Sequence, residues 1–175
     1  MPVRPTPDAM RERAFAVFGE RVVGARFLDL FSGTGAVGLE ALSRGASTVV
    51  FVERHRGAAR IISDNRALFE LEDDRARILV QPAAAAVASM ARRGETFDVA
   101  WADPPFESWE EGLEALAVAF ATGLMASAGM GCLECPERAA VETALPEGLE
   151  IFRDLGGGAS RVVLMRRSNV GELDR

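Results

Sequence analysis

Lysine and tyrosine are absent from this 175-residue chain, histidine occurs once and cysteine twice. Cys132 and Cys135 form one C-x-x-C, no second pair exists and His55 is the sole histidine, so a zinc site would lack ligands. A thioredoxin-type dithiol opens a helix, whereas C-L-E-C-P closes a strand-like segment; the two thiols read as small, partly buried residues. No metal is expected. Long apolar runs are missing too: nothing approaches the roughly 20 residues that span a bilayer, and the N-terminus shows no basic-then-apolar signal pattern. A cytoplasmic location is therefore expected. Positive charge is also short, and a net charge of −6 opposes an unaided, non-specific nucleic-acid binder, because phosphate contacts supply most of such affinity. A local basic face stays open, since the basic residues are all arginines and Arg4, Arg11, Arg13, Arg92, Arg93, Arg166 and Arg167 come in small groups. Scattered solvated arginines are the plainer reading of these groups. Repeats, low-complexity tracts and linkers are likewise missing, and nothing specifies an oligomer, so a monomer is the default.

What is present is a regular alternation of elements. With 49% hydrophobic and 26% charged residues, the chain suits one globular domain, residues 1–175, whose first 20 residues carry a helix packed on it. In T-P-D-A-M-R-E-R-A-F-A-V-F-G, Thr6 is placed as N-cap and Pro7 at the first helical position; Met10, Ala14, Val17 and Phe18 share a face, and Gly19 closes the helix. Strands are expected at Arg26 to Leu30, Thr48 to Glu53, Ala76 to Gln81, Phe97 to Asp103, Gly129 to Glu134, Leu149 to Asp154 and Ser160 to Arg166. Between them lie helical stripes: Ala58, Ile61, Ile62, Asn65, Leu68 and Phe69, then Trp109, Leu113, Leu116, Phe120 and Leu124, with an alanine-rich helix from Ala83. Apolar strands alternating with helices predict an α/β fold: a three-layer, doubly wound, mostly parallel sheet of seven strands. The last two strands, joined by D-L-G-G-G-A-S, form an antiparallel hairpin at its edge.

Gly33, Gly35 and Gly38 stand in G-x-G-x-x-G spacing between a strand and a helix, which allows a tight turn and close approach of backbone N–H groups to a ligand. Glu53 closes the next strand about 20 residues on, where an acid accepts both hydroxyls of a ribose. That pattern suits either a nicotinamide cofactor or S-adenosylmethionine. Asp29, just upstream of the glycines, favours the second, because a carboxylate there repels a pyrophosphate and suits a charged amino-acid end.

Positions 101 to 106 read W-A-D-P-P-F. Two successive prolines stop the strand and hold the next residues extended. In a doubly wound sheet ligands sit outside the carboxyl ends of the strands near the switch in strand order, so a fourth strand beside the first brings this ledge to the cofactor's reactive end. Methyl transfer to an exocyclic amine needs orientation and stabilisation of charge growing on nitrogen. Asp103 and the Pro104 carbonyl offer two acceptors for the amine hydrogens, Pro105 adds rigidity, and Phe106 offers a face on which an unpaired base stacks.

D-L-F-S-G-T-G-A-V-G-L-E-A-L-S-R-G-A at 29 to 46, V-F-V-E-R at 50 to 54, Asn65, D-P-P-F at 103 to 106 and R-P-T-P-D-A-M-R-E-R-A-F at 4 to 15 resemble the RsmD-type bacterial ribosomal RNA guanine-N2 methyltransferases. The likeness is strong over positions 4 to 106 and loose beyond. It implies a Rossmann-like class I methyltransferase that moves a methyl from S-adenosylmethionine to a guanine amino group, with rRNA or a partly assembled small ribosomal subunit as partner. It implies cofactor contacts at Asp29, Phe31, Ser32, Gly33, Thr34, Gly35, Glu53, Arg54, Gln81 and Ala83, and puts Arg4, Thr6 and Arg11 near the cofactor or target pocket.

The chain departs from the family pattern in three places. The run Val80-Gln81-Pro82-Ala83 lacks the acid that usually reaches the adenine amino group, so backbone, Gln81 or water must serve. The hairpin segment usual before R-P-T is replaced by Met1-Pro2-Val3, so RNA docking is expected to differ, and the tyrosine-containing C-terminal pattern is missing. Three rival readings stay in view: an adenine-N6 methyltransferase of DNA, disfavoured because 175 residues leave little room to read sequence; a cofactor-binding scaffold with little catalysis; and, more remotely, an NAD dehydrogenase.

Overall fold

The computed structural model describes residues 7–168, so Arg4 and Thr6 lie outside the described residues. Seven strands, β1 (Arg26–Leu30), β2 (Thr48–Val52), β3 (Ala76–Leu79), β4 (Phe97–Ala102), β5 (Met125–Pro136), β6 (Leu149–Leu155) and β7 (Ser160–Arg167), form one sheet in the order β3-β2-β1-β4-β5-β7-β6. The strands from β1 to β5 pair in parallel, while β7 runs antiparallel to both β5 and β6. The expected doubly wound sheet with an antiparallel edge hairpin is therefore the observed one. Its order reverses between β1 and β4.

Each strand points alternate side chains to opposite faces, and each face has its own helices. Phe27, Phe51, Val99, Trp101 and Cys132 pack under α1 (Pro7–Phe18), α2 (Ala36–Ser43) and α3 (Arg56–Leu68). Leu28, Val50, Ala100, Leu133 and Cys135 pack under α4 (Ala83–Arg92) and α5 (Trp109–Ala121); a short α6 (Val141–Ala144) adds Val141 to the same side. Cys132 and Cys135, three apart on one strand, thus face opposite sides of the sheet, and burial raises both thiols above their ordinary range.

Two details of the helices differ from expectation. On α1, Phe15 replaces Val17 in the fully buried set and stacks on Trp101 with ring centroids 6.3 Å apart, so aromatic packing fixes this helix to β4. On α3 the six-residue stripe is not a buried one: only Ala59 and Ile62 are buried on this helix, whereas Ile61, Leu68 and Phe69 are exposed. The helix lies over the outermost strands, where β3 is only four residues long and offers little sheet to cover.

The arginine groups are largely engaged locally. Arg11 pairs with Asp8, Arg93 with Glu95 and Arg166 with Glu150, and Arg13 donates to the Gly156 carbonyl.

Candidate active site

The glycine loop opens directly at the end of β1. Phe31 adopts φ +59°, a left-handed conformation that costs a non-glycine residue about 1–3 kcal/mol. Ser32 then ties the loop down: its Oγ donates to the Asp29 carbonyl at 2.6 Å and accepts the Val52 N–H at 2.9 Å. Gly35 sits at φ +84° before α2, and a Cβ at Gly38 would lie 2.3 Å from the Phe51 ring, so α2 crosses β2 at a distance that only glycine permits.

Two acids organise this loop in different ways. Glu53 accepts the Gly33 N–H at 2.8 Å and the His55 N–H at 2.7 Å, joining the glycine loop to the start of α3. Those two bonds leave lone pairs for a ligand. Asp29 is only 1% exposed and accepts the Gly38 N–H at 3.0 Å, so it faces α2 instead of a ligand pocket. Burial pushes its carboxyl up to about 8; the Gly38 bond pulls the other way and the nearby acids Asp103 and Glu53 add to the rise.

A cavity of about 630 Å³ opens at the carboxyl ends of the strands. Phe31, Gly33, Glu53 and Arg54 line it at the glycine loop, Gln81, Pro82 and Ala83 at the end of β3, and Asp103, Pro104, Pro105 and Phe106 at the end of β4. Asp29, Ser32, Thr34 and Gly35 are not on its wall; Ser32 and Asp29 brace the loop from behind. The sequence reading missed one wall altogether: Glu111, Glu114, Ala115 and Val118 of α5 also line the cavity. That wall was illegible because helical periodicity marks Ala115 only as a core-facing residue.

The ledge at 103 to 106 is held from two sides. The Asp103 N–H donates to the Leu30 carbonyl at 3.3 Å, extending the β1–β4 ladder by one residue. From the other side α5 lies so close that a Cβ at Gly112 would stand 2.7 Å from Pro104 Cγ and 2.8 Å from Leu133 Cδ1. Asp103 keeps an exposed edge, yet the protein around the rest of its carboxyl pushes it up to about 7, and the charge of Glu134 adds to the rise. Phe106 is 42% exposed, an unusual state for a large aromatic and a usable one for stacking.

Glu134 escaped the sequence reading. The register Ala102↔Leu133 continues to Asp103 beside Glu134, and on β5 Glu134 lies two residues from Cys132, on the face that carries α1. Burial raises its carboxyl, while a hydrogen bond from Ser160 and the charge of Arg11 lower it. An acid at the carboxyl end of a central parallel strand was the available signal.

Among known proteins, a family model described as conserved hypothetical protein 95 matches residues 1–166. Over 104 residues, 59% of the chain, it is 36% identical to the ribosomal RNA small subunit methyltransferase D of Escherichia coli strain K12. The chain spans 50% of that protein's length and 60% of a Bacillus subtilis relative's. Of solved structures, a conserved hypothetical protein of Streptococcus pyogenes aligns with a TM-score of 0.79 at 29% identity, covering 90% of this chain and 95% of that one. A hypothetical protein of Thermus thermophilus aligns with a TM-score of 0.73 at 31% identity, covering 93% and 88%.

Proposed function

The chain belongs to the family described as conserved hypothetical protein 95, and from that membership and the site we propose that it is an S-adenosylmethionine-dependent methyltransferase of a base amino group, guanine N2 of small-subunit rRNA. One observation carries the reading: a single cavity joins the Gly33–Glu53 end to the Asp103–Phe106 ledge. Its volume, about 630 Å³, lies within the roughly 300–1,000 Å³ typical of small-molecule sites.

The residues present suit the cofactor. Glu53 retains acceptor sites for ribose hydroxyls, the Gly33 loop leaves room for close approach, and Val52, Pro82, Ala83 and Val87 give an apolar slot for a purine. The run Val80-Gln81-Pro82-Ala83 brings no carboxylate of its own to the slot, so Gln81 and backbone take over adenine recognition. When bound, S-adenosylmethionine supplies an electrophilic methyl on a sulfonium.

The ledge does the rest. Asp103 and the Pro104 carbonyl accept the two amine hydrogens, which aims the nitrogen lone pair away from the ledge, and Phe106 stacks on the base. As nitrogen gains positive charge, the ionised Asp103 carboxylate stabilises it and takes the proton that leaves. On this reading residues 1–175 act as one domain, in the cytoplasm, on rRNA or on a partly assembled small subunit. In that setting an acidic surface is tolerable, because basic ribosomal proteins attract it.

The test is transfer of labelled methyl from S-adenosylmethionine to methyl-deficient small-subunit particles, to naked rRNA and to DNA. Particles are expected to be labelled fastest, with N2-methylguanosine recovered after nuclease digestion. Cofactor binding without transfer to any nucleic acid would overturn the assignment, and naked rRNA labelled as fast as particles would overturn the particle as substrate.

A further inference from the structure

Beside the ledge stands a second acid with no part in the chemistry above. Asp103 and Glu134 are neighbours across the β4–β5 ladder, both on the α1 face of the sheet. Ser160 of β7 pairs with Pro136, two residues along β5 from Glu134, and the guanidinium of Arg11, which also pairs with Asp8 at 3.0 Å, is near enough to stabilise the Glu134 charge. The three groups come from α1, the end of β4 and β5, and form a row in the order Asp103, Glu134, Arg11, of which Asp103 is on the cavity wall and the other two stand behind it on the α1 side.

The polarity of that row is informative. It reads acceptor, acceptor, donor: two carboxylates and then a guanidinium. The Watson–Crick edge of guanine reads donor, donor, acceptor, from the N2 amine through N1–H to O6. Adenine places an acceptor at N1 where guanine has a donor, so a carboxylate there meets a lone pair. A carboxylate offers roughly four acceptor positions, so even a hydroxyl donated from Ser160 leaves others for a base.

Resting on the methyltransferase reading, we propose that Glu134 accepts the N1–H of the target guanine and Arg11 donates to its O6, while Asp103 holds the N2 amine. Glu134 is thereby the residue that selects guanine over adenine. The selection follows from the cost of leaving a buried polar group unpaired, which separates bases that present different groups far better than packing does. It also accounts for two adjacent carboxylates in one site: their mutual repulsion is relieved when a ligand offers a hydrogen to each.

The experiment compares Glu134→Ala, Glu134→Gln and Ser160→Ala in methyl transfer to methyl-deficient small-subunit particles, with S-adenosylhomocysteine affinity measured by titration calorimetry. Glu134→Ala is expected to lower kcat/KM for particles about tenfold or more, with S-adenosylhomocysteine affinity within about twofold of wild type. Glu134→Gln, whose amide carbonyl still accepts N1–H, recovers part of the loss, and Ser160→Ala loses less than Glu134→Ala. Three results overturn the proposal: kcat/KM within twofold of wild type in Glu134→Ala, no difference between the alanine and glutamine variants, or an equal loss in Ser160→Ala. If the wild-type protein binds S-adenosylhomocysteine but methylates no RNA, the underlying reading fails instead, so the two failures are told apart.

Discussion

Asp103 has to be ionised to accept an amine hydrogen, and its surroundings hold its carboxyl near 7. Below that pH the group is a donor and clashes with the N–H it must receive; above it the acceptor is complete. Single-turnover methyl transfer is therefore expected to rise with pH through about 7 and level off, and Asp103→Ala to abolish transfer while S-adenosylhomocysteine still binds. A flat profile between pH 6 and 8, or turnover retained in the alanine variant, would remove Asp103 from the chemistry. Because Glu134 contributes to the raised value, the observed pH midpoint belongs to the pair and not to Asp103 alone. The sequence made Asp103 legible through D-P-P-F, whereas Glu134 was signalled only by its place near the end of a strand, and its partner is 31 positions away in a register that only the sheet defines.

At the scale of elements, the ledge depends on α5 as much as on its own prolines. Gly112 brings the helix backbone against Pro104, and a methyl group there would meet atoms at 2.7 to 2.9 Å, closer than van der Waals contact allows. The Leu133 methyl can turn aside, but the Pro104 ring cannot yield without shifting the β4 terminus or the helix. Gly112→Ala is predicted to cut kcat at least tenfold, a loss set by displacement of the ledge, while Tm falls by only a few degrees. Activity equal to wild type would show that α5 is a passive cover. Nothing local betrays this role, since Gly112 in W-E-E-G-L-E reads merely as a weak helix position.

For the molecule as a whole, Asp29 couples stability to pH. Its carboxyl titrates near 3.8 when free and near 8 in the folded protein, so between those values the folded state holds a proton that the unfolded chain has released. Stability is then greatest, for this group, below about 4, declines as pH rises at up to about 1.4 kcal/mol per unit, and changes no further above about 8. Asp29→Asn keeps an acceptor for the Gly38 N–H and removes the titration. The variant is expected to gain in urea midpoint over wild type by a margin that widens from pH 5 to pH 8. A constant margin would mean that Asp29 does not stay protonated in the folded protein.

The amino-acid sequence by itself determined the alternation of strands and helices, the glycine turn and the ledge, because each is written in short-range signals: apolar periodicity, backbone freedom at glycine and the fixed φ of proline. Gly33, Glu53 and Asp103 could be singled out on that ground alone. Only the tertiary structure decided which acids meet: Asp29 turns to Gly38, Glu53 bridges Gly33 and His55, and Glu134 comes beside Asp103. Side-chain direction depends on strand register and on which helix covers which face, and both are set by packing between residues far apart in the chain.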